Sequence, residues 1–249
     1  MTTVVAAGRR ILPRGWGDLG RQIAIWLGFF FAYQLVRGLA DRRSPSVAMA
    51  HGLKVVHLET RFTHRLYELT FQQFVDQRHV LETAVSWTYW NSEFTVVGLA
   101  VLWVYLRRHD SFYAFRNSIL LANVIGLIGY FFWPTAPPRL LHLGFMNAHR
   151  DGLVQLLANP YAAMPSLHAA DALIVGAVLC STCRKWWAKA IWAVWPAWVW
   201  FAVMATGNHF WLDCLAGTVV AVVAMAIVYH TRLSGYRTRV QGAVAARRA

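Results

Sequence analysis

Long apolar stretches recur along the chain, and six approach the length of a helix that crosses a bilayer: 22–40, 82–106, 113–133, 164–183, 188–206 and 211–230. A spanning helix needs about 20 residues to cross about 30 Å of hydrocarbon. The first stretch is the least pure, because its uncharged part ends at Val36 and Arg37 must snorkel from its end. The second carries Glu82 near its start and Glu93 inside it. The pattern predicts an all-α, polytopic membrane protein: one domain over residues 1–249, built as a six-transmembrane-helix bundle. In the first long connection, 41–81, Leu58, Phe62, Leu66 and Leu69 recur at helical spacing, with Lys54, Arg61, Arg65 and Glu68 off that stripe. This predicts a short amphipathic helix, lying in the membrane interface or packed against the neighbouring spans.

Composition agrees. The hydrophobic set makes up 57% of the 249 residues and charged residues 14%, against about 25% charged in a soluble domain. That excludes a disordered chain and argues against a soluble enzyme. The net charge of +13 would suggest nucleic acid in a soluble protein. In so apolar a chain it points instead to cytoplasmic segments facing anionic lipid, with no nucleic-acid partner. Four basic clusters set the orientation: the N-terminal arginines, Arg107 with Arg108 and Arg116, Arg184 with Lys185 and Lys189, and the C-terminal tail. With six spans all four fall on the cytoplasmic side, so both termini are expected there. Loops 41–81, 134–163 and 207–210 fall on the other side, in a multi-pass protein of the plasma membrane. The Arg-preceded run at 22–36 also has the look of a signal peptide, but no small-residue cleavage site follows it cleanly. Cys180, Cys183 and Cys214 are too few for a disulfide framework, and the Cys180–Cys183 pair has no further zinc ligands near it in sequence.

The remaining polar residues are not scattered. The segment 133–139 (Trp-Pro-Thr-Ala-Pro-Pro-Arg) closes the third span, 164–168 (Met-Pro-Ser-Leu-His) opens the fourth, and 207–213 (Gly-Asn-His-Phe-Trp-Leu-Asp) joins the last two. Alternating helices bring all three to one, non-cytoplasmic face. His209 and Asp213 are four apart and share a helix face, so the carboxylate can hold one ring nitrogen protonated and leave the other free to attack. Pro165 suits a first helical turn, which places Ser166 and His168 at a helix start, where free N–H groups suit a phosphate. Arg139 offers a forked donor that matches phosphate oxygens. These are the parts of phosphoryl transfer: His209 attacks phosphorus, His168 protonates the leaving oxygen, and Arg139 and Ser166 cradle the oxyanions. Asp171 and Glu93 are intramembrane acids, costly enough to be candidates for an accessory role. Asp171 lies three residues after His168, within reach on one helix, and otherwise makes a contact inside the bundle. No part of the chain has the ligand spacing of a Zn²⁺ or Mg²⁺ site, so neither metal nor cofactor is expected.

The set 136–139 (Ala-Pro-Pro-Arg), 164–170 (Met-Pro-Ser-Leu-His-Ala-Ala), 206–209 (Thr-Gly-Asn-His), Asp213 and Gly217 resembles the type-2 phosphatidic acid phosphatase superfamily. More narrowly it resembles the branch containing inositol phosphorylceramide synthases. The resemblance covers the third to sixth spans. It implies a six-helix fold, no metal, His209 as nucleophile, Asp213 as its orienting carboxylate, His168 as general acid, and phosphate binding by Arg139 and Ser166. Four positions depart from the phosphatase pattern. Phe132 stands for a Lys, Ala202 and Val203 for a Ser-Arg pair, and Leu167 for a Gly. A site with one Arg suits a singly charged phosphodiester better than a phosphomonoester, unless Arg61 or Arg150 fills the gap. The leading expectation is therefore an enzyme passing a phosphoryl headgroup, such as phosphoinositol, from a membrane lipid to an alcohol acceptor. The alternative is a phosphatase that uses water to release phosphate from a lipid or polyprenyl phosphate. A non-catalytic lipid-binding membrane protein is the third reading.

Overall fold

A computed structural model describes residues 12–40, 45–145 and 160–248. The helices are α1 (Gly15–Ala40), α2 (Pro45–Thr63), α3 (Tyr67–Asp76), α4 (His79–Asn91), α5 (Val97–Arg107), α6 (His109–Phe132), α7 (Leu167–Thr182), α8 (Trp186–Ala205) and α9 (Trp211–Arg248). A π-helical turn, Ser92–Val96, joins α4 to α5, and a 3₁₀ turn, Pro138–Leu140, follows α6. The described residues form no strand, only a parallel bridge between Thr135 and Ala162. The protein is an all-helical membrane protein.

Among the described residues, four helices are long and apolar enough to cross a membrane, namely α1, α6, α8 and the first part of α9. The apolar stretch at 82–106 is one continuous helical run over 79–107, interrupted in pitch by the π turn that carries Glu93. The stretch at 164–183 yields a helix of only 16 residues, about 24 Å long. Pro165 and Ser166 delay its start to Leu167, where the Ser166 hydroxyl caps it by accepting the Ala169 N–H at 3.3 Å. Ten of the residues of α7 are buried, so α7 is the hub of the bundle, with α6, α8 and α9 packed around it. A helix apolar on all sides belongs in such a place. The main core joins Val104, Phe112, Phe115 and Ile119 to Ile174, Val175, Ala221 and Ala224.

The connection 41–81 departs from the expected stripe. It holds two helices, not one, because the chain turns at His64 (φ 58°) and α3 begins only after Leu66. Leu58 and Phe62 are exposed. The buried stripe of α2 is Ala48, Gly52, Val55 and Glu59. It packs on the Pro-rich loop after α6, with the Ala136 N–H bonded to the Ala48 carbonyl at 2.9 Å and His51 Nδ1 to the Pro134 carbonyl at 2.8 Å. Periodicity alone did not reveal the face of α2 that meets the protein, because a carboxylate and a glycine stand on it.

Candidate active site

His209, His168, Arg139 and Asp213 come together at one end of the bundle, as the three polar segments require. His209 stands in a short turn between α8 and α9. Gly207 opens that turn with φ +65°, a conformation that L side chains rarely adopt. The backbone N–H groups of Asn208 and His209 both bond the Val203 carbonyl, at 3.0 and 3.2 Å. Nδ1 of His209 lies 2.9 Å from the Ala163 carbonyl oxygen and 3.7 Å from Asp213 Oδ2. A carbonyl only accepts, so Nδ1 carries the proton and Nε2 presents a lone pair. Asp213 Oδ2 therefore stands at ion-pair distance from the ring without a hydrogen bond to it. The direct orienting bond expected from it is made by a backbone carbonyl instead, while Asp213 Oδ2 accepts the Phe210 N–H at 2.8 Å.

Nε2 of His209 faces His168 Nδ1 at 3.4 Å, and His168 Nε2 lies 3.3 Å from Glu93 Oε2. The polar chain thus runs Asp213, His209, His168, Glu93, with Glu93 delivered by the π turn, a device common at functional sites. Tyr89 stacks on the His168 ring, centroids 4.8 Å apart. Arg139 Nε donates to Asn208 Oδ1 at 2.7 Å, and the guanidinium also hydrogen-bonds Tyr89. Asn208 is itself held by its Nδ2 donating to Thr206 Oγ1 at 2.9 Å. Arg139, His168, His209, Glu93, Tyr89 and Tyr130 line a common cavity. Arg139 is the only Lys or Arg among the described residues that line it.

Other expected residues sit elsewhere. Ser166 is fully buried and does not line the cavity; its hydroxyl caps α7 and its N–H bonds the Asp213 carbonyl at 3.0 Å. Asp171 does not reach His168; its carboxylate takes the Asn123 amide at 3.1 and 3.2 Å, a contact inside the bundle. Phe132 is exposed, Ala202 and Val203 are fully buried in apolar clusters, and Leu167 lines the cavity with an apolar side chain, so none of the four departures brings another polar group to the cavity. Arg61 is exposed on α2 and does not line the cavity, and Arg150 lies outside the described residues. Among the described residues no group of three His, Cys, Asp or Glu is arranged to hold a metal ion.

Sequence reasoning missed Tyr89, Asn208 and the Ala163 carbonyl, along with two buried carboxylates. Glu59 Oε1 accepts the Leu212 N–H at 2.9 Å and Glu68 Oε1 the Trp211 N–H at 2.7 Å, both at the start of α9. The one available signal was that Glu59 continues the four-three-four spacing of Ala48, Gly52 and Val55.

A family model described as the PAP2 superfamily matches residues 53–227. The chain belongs to the PAP2 superfamily. Its members are phosphatases and phosphotransferases, and this chain is a membrane enzyme of that kind. A phosphoinositol dihydroceramide synthase of Bacteroides thetaiotaomicron is 29% identical over 140 residues, a match covering 47% of this chain and 45% of the relative. The matched region thus spans less than half of that relative's length. The crystal structure of Aquifex aeolicus LpxE superposes with a TM-score of 0.53 at 21% identity, covering 66% of this chain and 94% of the other. The PAP2 fold is therefore shared by both.

Proposed function

We propose that this PAP2 enzyme transfers a phosphoryl headgroup, phosphoinositol by analogy with the synthase relative, from a lipid phosphodiester to an alcohol acceptor through a phosphohistidine on His209. The carrying observation is the state of that ring: Nδ1 is pinned to the Ala163 carbonyl, and Nε2 faces His168 at 3.4 Å. In the first half-reaction Nε2 bonds phosphorus while the bond to the lipid alcohol oxygen breaks, and His168 gives that oxygen its proton. In the second, the acceptor hydroxyl passes its proton to His168 as its oxygen bonds phosphorus and the P–N bond breaks. Asp213 steadies the positive charge that His209 acquires on attack, and Arg139, aimed by Asn208 and Tyr89, holds the non-bridging oxygens. One guanidinium matches the single charge of a diester, whereas a monoester carries about 1.5 to 2 charges at pH 7.

Six spans fit this reading, formed by α1, the 79–107 rod, α6, α7, α8 and α9. Both termini are cytoplasmic and the site faces outward from the plasma membrane, with Leu58 and Phe62 resting in the interface. An apolar cleft lined by Trp26, Leu27, Phe94 and Val97 shares Tyr33 and Glu93 with the cavity, which gives a lipid chain a route to it.

Rapid-quench labelling with a lipid diester radiolabelled at phosphorus tests the proposal. An acid-labile, base-stable label on protein, absent in His209→Ala, is expected. Active wild-type enzyme with no labelled protein and inversion at phosphorus would refute the covalent route. Release of inorganic phosphate from a panel of lipid monoesters, with no transfer to alcohols, would instead make the enzyme a phosphatase.

A further inference from the structure

Helix α9 begins with an unusual arrangement of acceptors. The N–H groups of Phe210, Trp211 and Leu212 have no carbonyl partner within the helix. They are taken by three carboxylates from three elements: Asp213 of α9 itself, Glu68 of α3 and Glu59 of α2. An ordinary N-cap comes from the residue just before the helix. Here two acceptors come from 143 and 153 residues away in the chain. Glu59, Glu68 and Asp213 are all fully buried. Among the described residues, Glu59 Oε2, Glu68 Oε2 and Asp213 Oδ1 have no hydrogen-bond partner. Neither glutamate lines the cavity, so neither touches substrate.

We infer that Glu59 and Glu68 are positioning residues, a clamp through which the α2–α3 hairpin holds the first turn of α9 and thereby fixes His209 against His168. This rests on the reading of His209 as nucleophile. His209 is two residues before Trp211 and three before Leu212, so the clamped donors and the attacking ring share one short stretch of backbone. The Ala163 carbonyl that holds the ring comes from the chain just before α7. A shift of the turn relative to α7 changes the separation of the two imidazoles directly.

The charge state of the clamp gives it a signature. The titratable groups facing Glu59 are Glu68 on α3 and Asp213 on α9, with Cys214 of α9 also near. Burial, then the neighbouring Glu68 and Asp213, push the Glu59 carboxyl up to about 9. Burial raises Glu68 as well. With its value near 9, the Glu59 carboxyl is neutral at pH 7 in the folded state. Its ionisation disfavours the fold progressively from its unfolded value, near 4.5, up to about 9. Above about pH 9 an ionised Glu59 repels Glu68 and Asp213, and the clamp loosens.

The test is the pH profile of headgroup transfer by detergent-purified enzyme carrying Glu59→Gln, Glu59→Ala or Glu68→Gln. Glu59→Gln keeps an acceptor for Leu212 and cannot ionise. It is expected to retain kcat at pH 7 within about threefold and to move the alkaline limb upward. Glu59→Ala strips the acceptor and should lower kcat roughly 10- to 100-fold with KM little changed, as a displaced nucleophile does. A Glu59→Gln enzyme with the wild-type alkaline limb would overturn the inference, whether or not the Ala variant folds. So would phosphohistidine forming in Glu59→Ala at the wild-type rate. Active wild-type enzyme with no phosphohistidine would instead overturn the nucleophile reading itself, which separates the two failures.

Discussion

Replacing Gly217 with Ala tests whether the spacing of α7 and α9 sets the two histidines. A methyl group on Gly217 would overlap the Ser166 carbonyl oxygen and stand 3.0 Å from its carbon, both backbone atoms that cannot swing aside. Carbon atoms in good contact rest about 3.5–4.0 Å apart, and the oxygen overlap demands still more, so the helices must part by about 1 Å. The Ser166 N–H bonds the Asp213 carbonyl in the same contact, at 3.0 Å. The separation is therefore passed to Asp213 and to the 3.4 Å approach of His209 and His168. A misplacement of about 1 Å can cost about 100-fold in rate, and overpacking typically about 1–3 kcal/mol in stability. The assay is transfer from a radiolabelled lipid diester in detergent micelles, with size-exclusion profile and thermal unfolding recorded alongside. The expected result is a folded enzyme with a lower Tm and kcat reduced about 100-fold. A folded Gly217→Ala enzyme within threefold of wild-type kcat would refute the claim that this crossing governs the site.

Asn208→Ala removes the acceptor of Arg139 Nε. Because hydrogen bonds to charged groups contribute about 1.5–3 kcal/mol, kcat/KM for a diester should fall roughly tenfold or more in steady-state assays, with His209 still labelled. His168→Ala should lower transfer by about 10²–10⁴-fold with a lipid alcohol as leaving group. It should lower it least with a leaving group such as p-nitrophenolate, and an equal loss with both would argue against general acid catalysis by this ring. For the orientation, a variant lacking Cys180, Cys183 and Cys214 serves as background, and His64→Cys or Lys185→Cys is added to it. An impermeant thiol reagent applied to intact cells should label the first and not the second, and the reverse pattern would place the site in the cytoplasm.

The amino-acid sequence by itself determined the class of molecule, because the cost of exposing a polar backbone to lipid makes hydropathy a local and nearly sufficient signal. It also determined which end of the bundle collects the chemistry. Pro165, Gly207 and Arg139 sit where spans stop and start, and alternation of helices brings those points to one face. His209, His168, Arg139 and Asp213 were legible for that reason. What each touches was not. The bond that fixes the His209 tautomer comes from the carbonyl of Ala163, and a backbone carbonyl has no residue identity to read. Glu93 was a bare candidate until the π turn gave it His168 as a neighbour, while Asp171, equally plausible by spacing, turned to Asn123. Ser166 went to capping α7 because the nearest unsatisfied N–H there belongs to the helix. The hairpin of α2 and α3 was the least legible, both in its two helices and in its buried face. Leu58 and Phe62 carry the local pattern, yet the buried face holds Glu59, whose partner is a helix start 153 residues away. Contacts of that separation are decided only when the chain is packed, since only then does a buried carboxylate find the N–H groups that make its burial tolerable.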